Sequence, residues 1–315
     1  RILMHLVLRL LSVASLSSHR LPVSAFRLYS SPLTMSAAAA NAEQGKIYLI
    51  TGSTDGIGRH TAHRLAAANK DNTVIIHGRS PERLEAAKAE LVRATKNINI
   101  FAYLADLSVM RNVEALASEI KKHHPRIDVL INNAGVFEER RQETPDAMEL
   151  TFAVNVAAPY VLTRHLLDCI PDNTGRIIIT SSISQGSRID LNNLQLNTGY
   201  SDHAAYSLSK LCDVLLTVEI ADRLKSRGIV CHTQDPGTVN TKMLLAGWGP
   251  CGIDVSVADN TFWLATSNDP HVSILYIDPP AAIDESVNSV LVARQVWLVG
   301  WLNRLRSSRR RATIS

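Results

Sequence analysis

The chain has 315 residues, 46% hydrophobic and 20% charged, which excludes an intrinsically disordered protein, since disorder combines few apolar residues with a large net charge. A chain of this length buries a large core without disulfides or a structural metal, and Cys169, Cys212, Cys231 and Cys251 lie too far apart for a CxxC pair, so no metal site is expected. The net charge of +4 belongs to the ends: no acid precedes Glu43 or follows Glu285, while the body between them holds 23 basic against 29 acidic residues, a balance that excludes a nucleic-acid partner.

Residues 1–34 are basic, acid-free and serine-rich, the composition of an organelle transit peptide. The apolar stretch 3–16 is too short, and too interrupted by Arg9, to span a membrane. Arg27-Leu28-Tyr29-Ser30-Ser31 is similar to a mitochondrial presequence cleavage site, and Val23-Ser24-Ala25-Phe26 to a plastid-import junction. The expectation is a mitochondrial or plastid protein if this leader is translated, and a cytoplasmic one if Met35 is the start. Residues 1–42 are read as leader, 43–285 as one folded domain and 286–315 as a hydrophobic, then Arg-rich tail.

Residues 46–51 (KIYLIT) read as a first strand and 56–69 as the helix after it. Between them Thr51-Gly52-Ser53-Thr54-Asp55-Gly56-Ile57-Gly58 is a glycine-rich turn that brings backbone N–H groups and a helix N-terminus close to a pyrophosphate. A second strand, 73–77, ends at His77-Gly78-Arg79-Ser80. An acid here bonds the ribose hydroxyls of NAD, whereas Arg accommodates the added phosphate of NADP, so Arg79, with Arg59 nearby, points to NADP over NAD. The bland alternative is two ordinary surface arginines. The charged pattern 81–95 reads as a helix, 98–103 as a third strand, and 108–123 as its helix with Ser108 as N-cap.

Residues 127–132 form a fourth strand that ends in Asn132-Asn133-Ala134-Gly135. The helical pattern 144–170 contains Pro159 and is expected to be kinked or broken. Residues 176–180 (RIIIT), a fifth strand with the continuous apolar run of a covered parallel sheet, lead into Ser181-Ser182. Residues 202–227 are one long helix, 229–233 a sixth strand followed by Asp235-Pro236-Gly237-Thr238-Val239-Asn240-Thr241, and 272–277 a seventh. Strands and helices alternate throughout, which predicts an α/β fold: one doubly wound Rossmann domain on a mostly parallel, seven-stranded sheet. In such a sheet ligands bind at the strand C-termini, where every distinctive string falls.

On the long helix, Tyr206-Ser207-Leu208-Ser209-Lys210 puts a phenol and an ammonium on one face. A free phenol ionises near pH 10 and is a poor proton shuttle; a nearby ammonium favours the phenolate and brings it toward the working range.

These strings, in this order and spacing, resemble the classical short-chain dehydrogenase/reductases from about residue 46 to 280. The resemblance implies that Gly52, Ser53, Thr54, Asp55, Gly56, Ile57, Gly58, Arg59 and Arg79 bind the cofactor, with Asp106 and Leu107 as adenine contact and Asn133, Ala134 and Gly135 as the fourth-strand motif. It implies that Pro236, Gly237, Val239 and Thr241 close over the nicotinamide, Thr241 bonding its carboxamide. Asn155, Ser182, Tyr206 and Lys210 match the catalytic tetrad. Tyr206 is then the acid/base, Lys210 holds the nicotinamide ribose and the phenol, Ser182 (with Ser181 as competitor) positions the carbonyl, and Asn155 supports a relay water.

The 23 residues between Ser182 and Tyr206, with Asp190, Leu191 and Leu194 among them, resemble the retinol-dehydrogenase-like branch, as do HAAYSLSK and the Arg after GIG. That branch implies an NADP(H)-dependent oxidoreductase interconverting carbonyl and alcohol on a small hydrophobic substrate such as a retinoid, steroid or lipid aldehyde. The alternative from another class is an NADP(H)-binding regulator or scaffold, whose basic ends recruit a partner or membrane. After Thr266 the family pattern fades. Residues 290–302, with Trp297 and Trp301, fit a peripheral membrane contact or a solvated appendage. A homodimer, often built near the C-terminus in this family, is the remaining expectation for partners.

Overall fold

The computed structural model describes residues 45–267, and within them six parallel strands carry the architecture. These are β1 (Ile47–Ile50), β2 (Thr73–Gly78), β3 (Ile100–Leu104), β4 (Val129–Asn132), β5 (Arg176–Thr180) and β6 (Val230–Gln234). Their order is β3-β2-β1-β4-β5-β6. Tyr48 aligns with both Val74 and Val129, so β1 runs in register with β2 on one side and β4 on the other. The chain builds outward from β1 to β3, then returns to lay β4 on the other side of β1. Helices leaving neighbouring strands therefore diverge at β1 and β4 and open a crevice at their C-terminal ends.

Successive strand residues point to opposite faces, and both faces are covered. Leu49, Ile75, Leu130, Ile177 and Ile179 pack on one side with α3 (Met110–His123), α5 (Ala158–Leu166) and α6 (Asp202–Leu224). Tyr48, Ile50, Val74, Ile76, Ile131 and Ile178 face the other side, against α1 (Gly56–Ala68), α2 (Pro81–Thr95) and α8 (Asn260–Thr266). Covering both faces explains the continuous apolar strands of the sheet's interior, where each buried Ile or Leu contributes about 1.5–3 kcal/mol, while the edge strand β3 leaves Phe101 and Leu104 exposed.

The fold class is as read from the sequence, with local differences. The expected seventh strand at 272–277, the leader 1–42 and the tail 286–315 lie outside the described residues. Ser108 does not cap α3: its N–H and hydroxyl both donate to Asp106 Oδ1 (3.0 and 2.8 Å), while Asp146, 36 residues on, accepts from Met110 N at 2.6 Å. The 144–170 helix begins only at α4 (Leu150–Phe152), because Thr144–Met148 closes as a turn with Ala147 at φ 55°. A π-helical stretch, Ala153–Ala157, then joins α4 to α5, where Pro159 falls in the first turn and needs no helical partner for its nitrogen. The long helix α6 ends at Leu224, followed by a 3₁₀ turn, Lys225–Arg227, and Gly228.

Candidate active site

The β1–α1 turn is held from beneath. Thr51 Oγ1 accepts from Asn133 N and Ala134 N, both at 3.0 Å, and Asn133 Nδ2 donates to Thr51 O at 3.0 Å and Gly52 O at 3.2 Å. His77, at the end of β2, accepts from Gly52 N at Nδ1 (3.2 Å), so its Nε2 donates to Ala105 O (3.1 Å). Burial holds this imidazole neutral, down at about 4. Asp55 caps α1 through Gly56 N at 2.9 Å. Gly52 sits at φ 64°, where a Cβ would stand 2.8 Å from Ala134 Cα. A Cβ on Gly58 would meet Gly52 O at 2.4 Å and Asn133 Nδ2 at 2.5 Å. Gly58→Ala is therefore expected to cost about 1–3 kcal/mol of stability by overpacking and to weaken dinucleotide binding at least about tenfold by spreading the turn; urea unfolding and a cofactor fluorescence titration check it.

From this turn a cleft of about 550 Å³ runs along the C-terminal ends of the strands. Gly52, Thr54, Asp55, Gly56, Ile57, Gly58, Arg79, Asp106 and Leu107 line one end, and Asn133, Ala134, Gly135, Pro236, Gly237, Val239 and Thr241 line the rest with Ser182, Tyr206 and Lys210. Three expected residues stand elsewhere. Ser53 lies behind the turn with its hydroxyl committed to backbone, donating to Ile50 O (3.0 Å) and accepting from His77 N (2.9 Å). Arg59 points along α1 and pairs with Glu90 of α2. Asn155 sits in the π-helical stretch, buried, its Oδ1 accepting from Val136 N (2.8 Å) and its Nδ2 donating to Ser209 Oγ (3.0 Å) and Val136 O (3.1 Å).

Arg79 is exposed at the cleft rim and makes no ion pair among the described residues. Two cations the sequence reading passed over, Arg83 and Lys242, flank Asp55 at 2.9 and 2.6 Å and hold its carboxyl below the usual range against the opposing pull of burial. Lys242 opens α7 (Lys242–Gly247), whose N-cap is Thr241. This pair ties the segment after β6 to the nucleotide turn.

At the other end, β5 delivers two serines with different fates. Ser181 Oγ donates to Lys210 O at 2.9 Å inside the fold, whereas Ser182, half-buried on the cleft wall, accepts from Ser184 N at 3.1 Å. That leaves the Ser182 O–H to donate. One turn apart on α6, Lys210 Nζ lies 5.6 Å from the Tyr206 ring centre. The ammonium donates to Thr180 O at 2.7 Å and Asp213 Oδ2 at 3.0 Å. Phe137 and Trp248 pack on the Tyr206 ring at 5.7 and 5.6 Å and on each other at 5.0 Å. These aromatics carry no local sequence signal, since three separate segments bring them together.

Residues 46–246 match the family model described as short chain dehydrogenase. The chain belongs to the short-chain dehydrogenase family. Among curated relatives of the chain, human retinol dehydrogenase 13 is 35% identical over 202 residues, covering 63% of this chain and 60% of the relative. Human retinol dehydrogenase 14 is 30% identical over 290 residues, 80% of this chain and 84% of the relative. Mouse retinol dehydrogenase 11 is 33% identical, and 63% of its length is spanned, so the chain covers under two thirds of the first of these relatives. Solved structures agree on the fold: an uncharacterized protein from Mycobacterium Paratuberculosis has a TM-score of 0.63 at 25% identity, covering 84% of this chain and 96% of that one. A blue fluorescent protein from a metagenomic library, solved with NADPH, has a TM-score of 0.59 at 26% identity, with 74% and 95% coverage.

Proposed function

We propose that this dehydrogenase interconverts a carbonyl and an alcohol on a small hydrophobic substrate, using NADP(H) and Tyr206 as proton donor and acceptor. The observation that carries the reading is the meeting of Ser182, Tyr206 and Lys210 on the wall of one cleft with the glycine turn. The residues present fit a phosphorylated dinucleotide. Gly58 lets the turn close tightly on itself, its missing Cβ standing where Gly52 O and Asn133 Nδ2 lie at 2.4 and 2.5 Å, and Arg79, without an ion pair among the described residues, offers its guanidinium where an NAD-type acid would otherwise stand. The NADPH complex of the structural relative supports the same cofactor.

When bound, the dinucleotide supplies or accepts the hydride. In the reducing direction the Ser182 hydroxyl donates a hydrogen bond to the carbonyl oxygen and aligns it beside Tyr206. Tyr206 then gives its phenolic proton to that oxygen as it becomes an alcohol. The Lys210 ammonium stabilises the phenolate left behind, and its third N–H, free of Thr180 and Asp213, is available to a ribose hydroxyl. Phe137 and Trp248 pack on the Tyr206 ring, and Trp248, with Ile183 and Met243, gives the reacting end apolar walls; these walls support the hydrophobic substrate class. The retinol dehydrogenase relatives support a retinoid or lipid-like aldehyde within it.

The test is NADPH consumption with a panel of short-chain, steroid and polyene carbonyls, run in parallel with NADH. Arg79→Ala is expected to raise the KM for NADPH about tenfold, the worth of one charge-assisted hydrogen bond, and to leave that for NADH unchanged. An equal loss for both cofactors would move the phosphate contact elsewhere.

A further inference from the structure

Resting on that reading of Tyr206 and Lys210, we propose that Asp213 is a positioning residue, the buried counterion that keeps the Lys210 ammonium charged and aimed and so sets the pH range of turnover. Tyr206, Lys210 and Asp213 follow one another at i, i+4 and i+7, a single face of α6. The Lys210 and Asp213 side chains are only 5% and 1% exposed and meet at 3.0 Å. Asp213 Oδ2 accepts from Lys210 Nζ, whereas Oδ1 has no hydrogen-bond partner among the described residues. The carboxylate therefore makes one bond, and it makes it to the lysine beside the phenol.

A buried ion pair adds little net stability, because desolvating both charges offsets their attraction. Its consequence lies in what it does to Lys210. Burial alone drives an ammonium toward its neutral form; Asp213 and Tyr206 outweigh that and hold Lys210 above the usual lysine range. Burial in turn pushes the Asp213 carboxyl up against the opposing pull of Lys210. Thr180 O supplies the second acceptor, so two bonds fix the nitrogen and leave one N–H to work with.

Besides Tyr206, which acts on Lys210, the elements packed on α6 bring few charged groups to this pair. Helix α6 packs against β5, β6, α4 and the π-helical stretch. Of these, β5 carries Arg176, β6 carries Cys231 and His232, and the other two carry no titratable group. Among the described residues, Lys210 is the one charge acting on Asp213. The adjacent Cys212 thiol is pushed up by its own burial and by Asp213.

Removing a negative charge lowers every ionisation near it. With the full chain, NADP⁺ and an alcohol that the parent protein oxidises, Asp213→Asn is expected to move the pH limbs of kcat to lower pH by about one unit, with KM within about twofold. Asn keeps an oxygen for Lys210 Nζ, so position is retained and charge is lost. Asp213→Glu, which keeps the charge, should leave the limbs near those of the parent. An Asp213→Asn profile that superimposes on the parent overturns the proposal, as does an Asp213→Glu profile displaced like that of Asp213→Asn. A readout independent of turnover separates this from failure of the oxidoreductase reading: in a ¹³C-carboxyl titration of the parent, Asp213 should ionise above the usual carboxylate range and rise further in Lys210→Met. An ordinary carboxylate titration that ignores Lys210→Met refutes the pairing, whether or not the Asn variant folds.

Discussion

Tyr206→Phe is expected to lower kcat about 10³-fold, the contribution of a positioned general acid or base, with little change in cofactor affinity. The substitution removes one oxygen and keeps the ring that packs against Phe137 and Trp248, so the cleft keeps its shape. Lys210 keeps its bonds to Thr180 and Asp213, and the nucleotide turn lies at the far end of the site. Steady-state rates beside a fluorescence titration of NADPH separate the two effects. A loss of binding in step with the loss of rate would make Tyr206 a packing residue, and unchanged turnover would remove it from the chemistry.

Acid exposes a second consequence of the core. Burial holds His77 and His232 neutral, each lowered from 6.5 to about 4. The unfolded chain takes up protons near pH 6.5 and the folded one resists until about pH 4, so each histidine's contribution is intact above pH 6.5 and lost as pH falls toward 4. At about 1.4 kcal/mol per unit this is about 3 kcal/mol for each. The buried carboxyls of Glu149, Asp213 and Asp235, all raised by burial, act with the opposite sign. The clean observable is thus a difference between variants. Neither ring nitrogen of His232 has a hydrogen-bond partner among the described residues, and His232→Leu should gain about 2 kcal/mol on the parent between pH 7.5 and pH 5, read from urea midpoints. No pH dependence in that difference would mean that His232 reaches solvent. His77 adds a functional limb, because protonating Nδ1 takes the acceptor away from Gly52 N and loosens the turn.

What was legible from the sequence follows from how far each signal reaches along the chain. The glycine turn, the strand ends at Ser181-Ser182 and the Tyr206–Lys210 pair are local: covered parallel strands read as apolar runs, and i, i+4 spacing fixes a shared helix face. Orientation across segments was not legible. Ser53 and Arg59 stand inside and beside the glycine string, yet a twist of the turn and a partner 31 residues away at Glu90 take both off the cleft wall. The cap of α3 comes from Asp146 rather than the neighbouring Ser108, and the late start of α4 depends on Ala147 at positive φ, which its identity does not announce. Asp213 was visible three residues past Lys210, but only its burial sets it apart from a surface i, i+3 pair.

The central claim is that carbonyl reduction occurs in this cleft. Its most direct measurement follows deuterium from NADPH labelled at the nicotinamide C4 into the alcohol formed from a hydrophobic aldehyde. One deuterium per alcohol, one NADP⁺ per alcohol and no transfer in Tyr206→Phe are the predicted results. Tight NADPH binding with no labelled alcohol from any carbonyl in the panel would contradict the account and leave a nucleotide-binding regulator in its place.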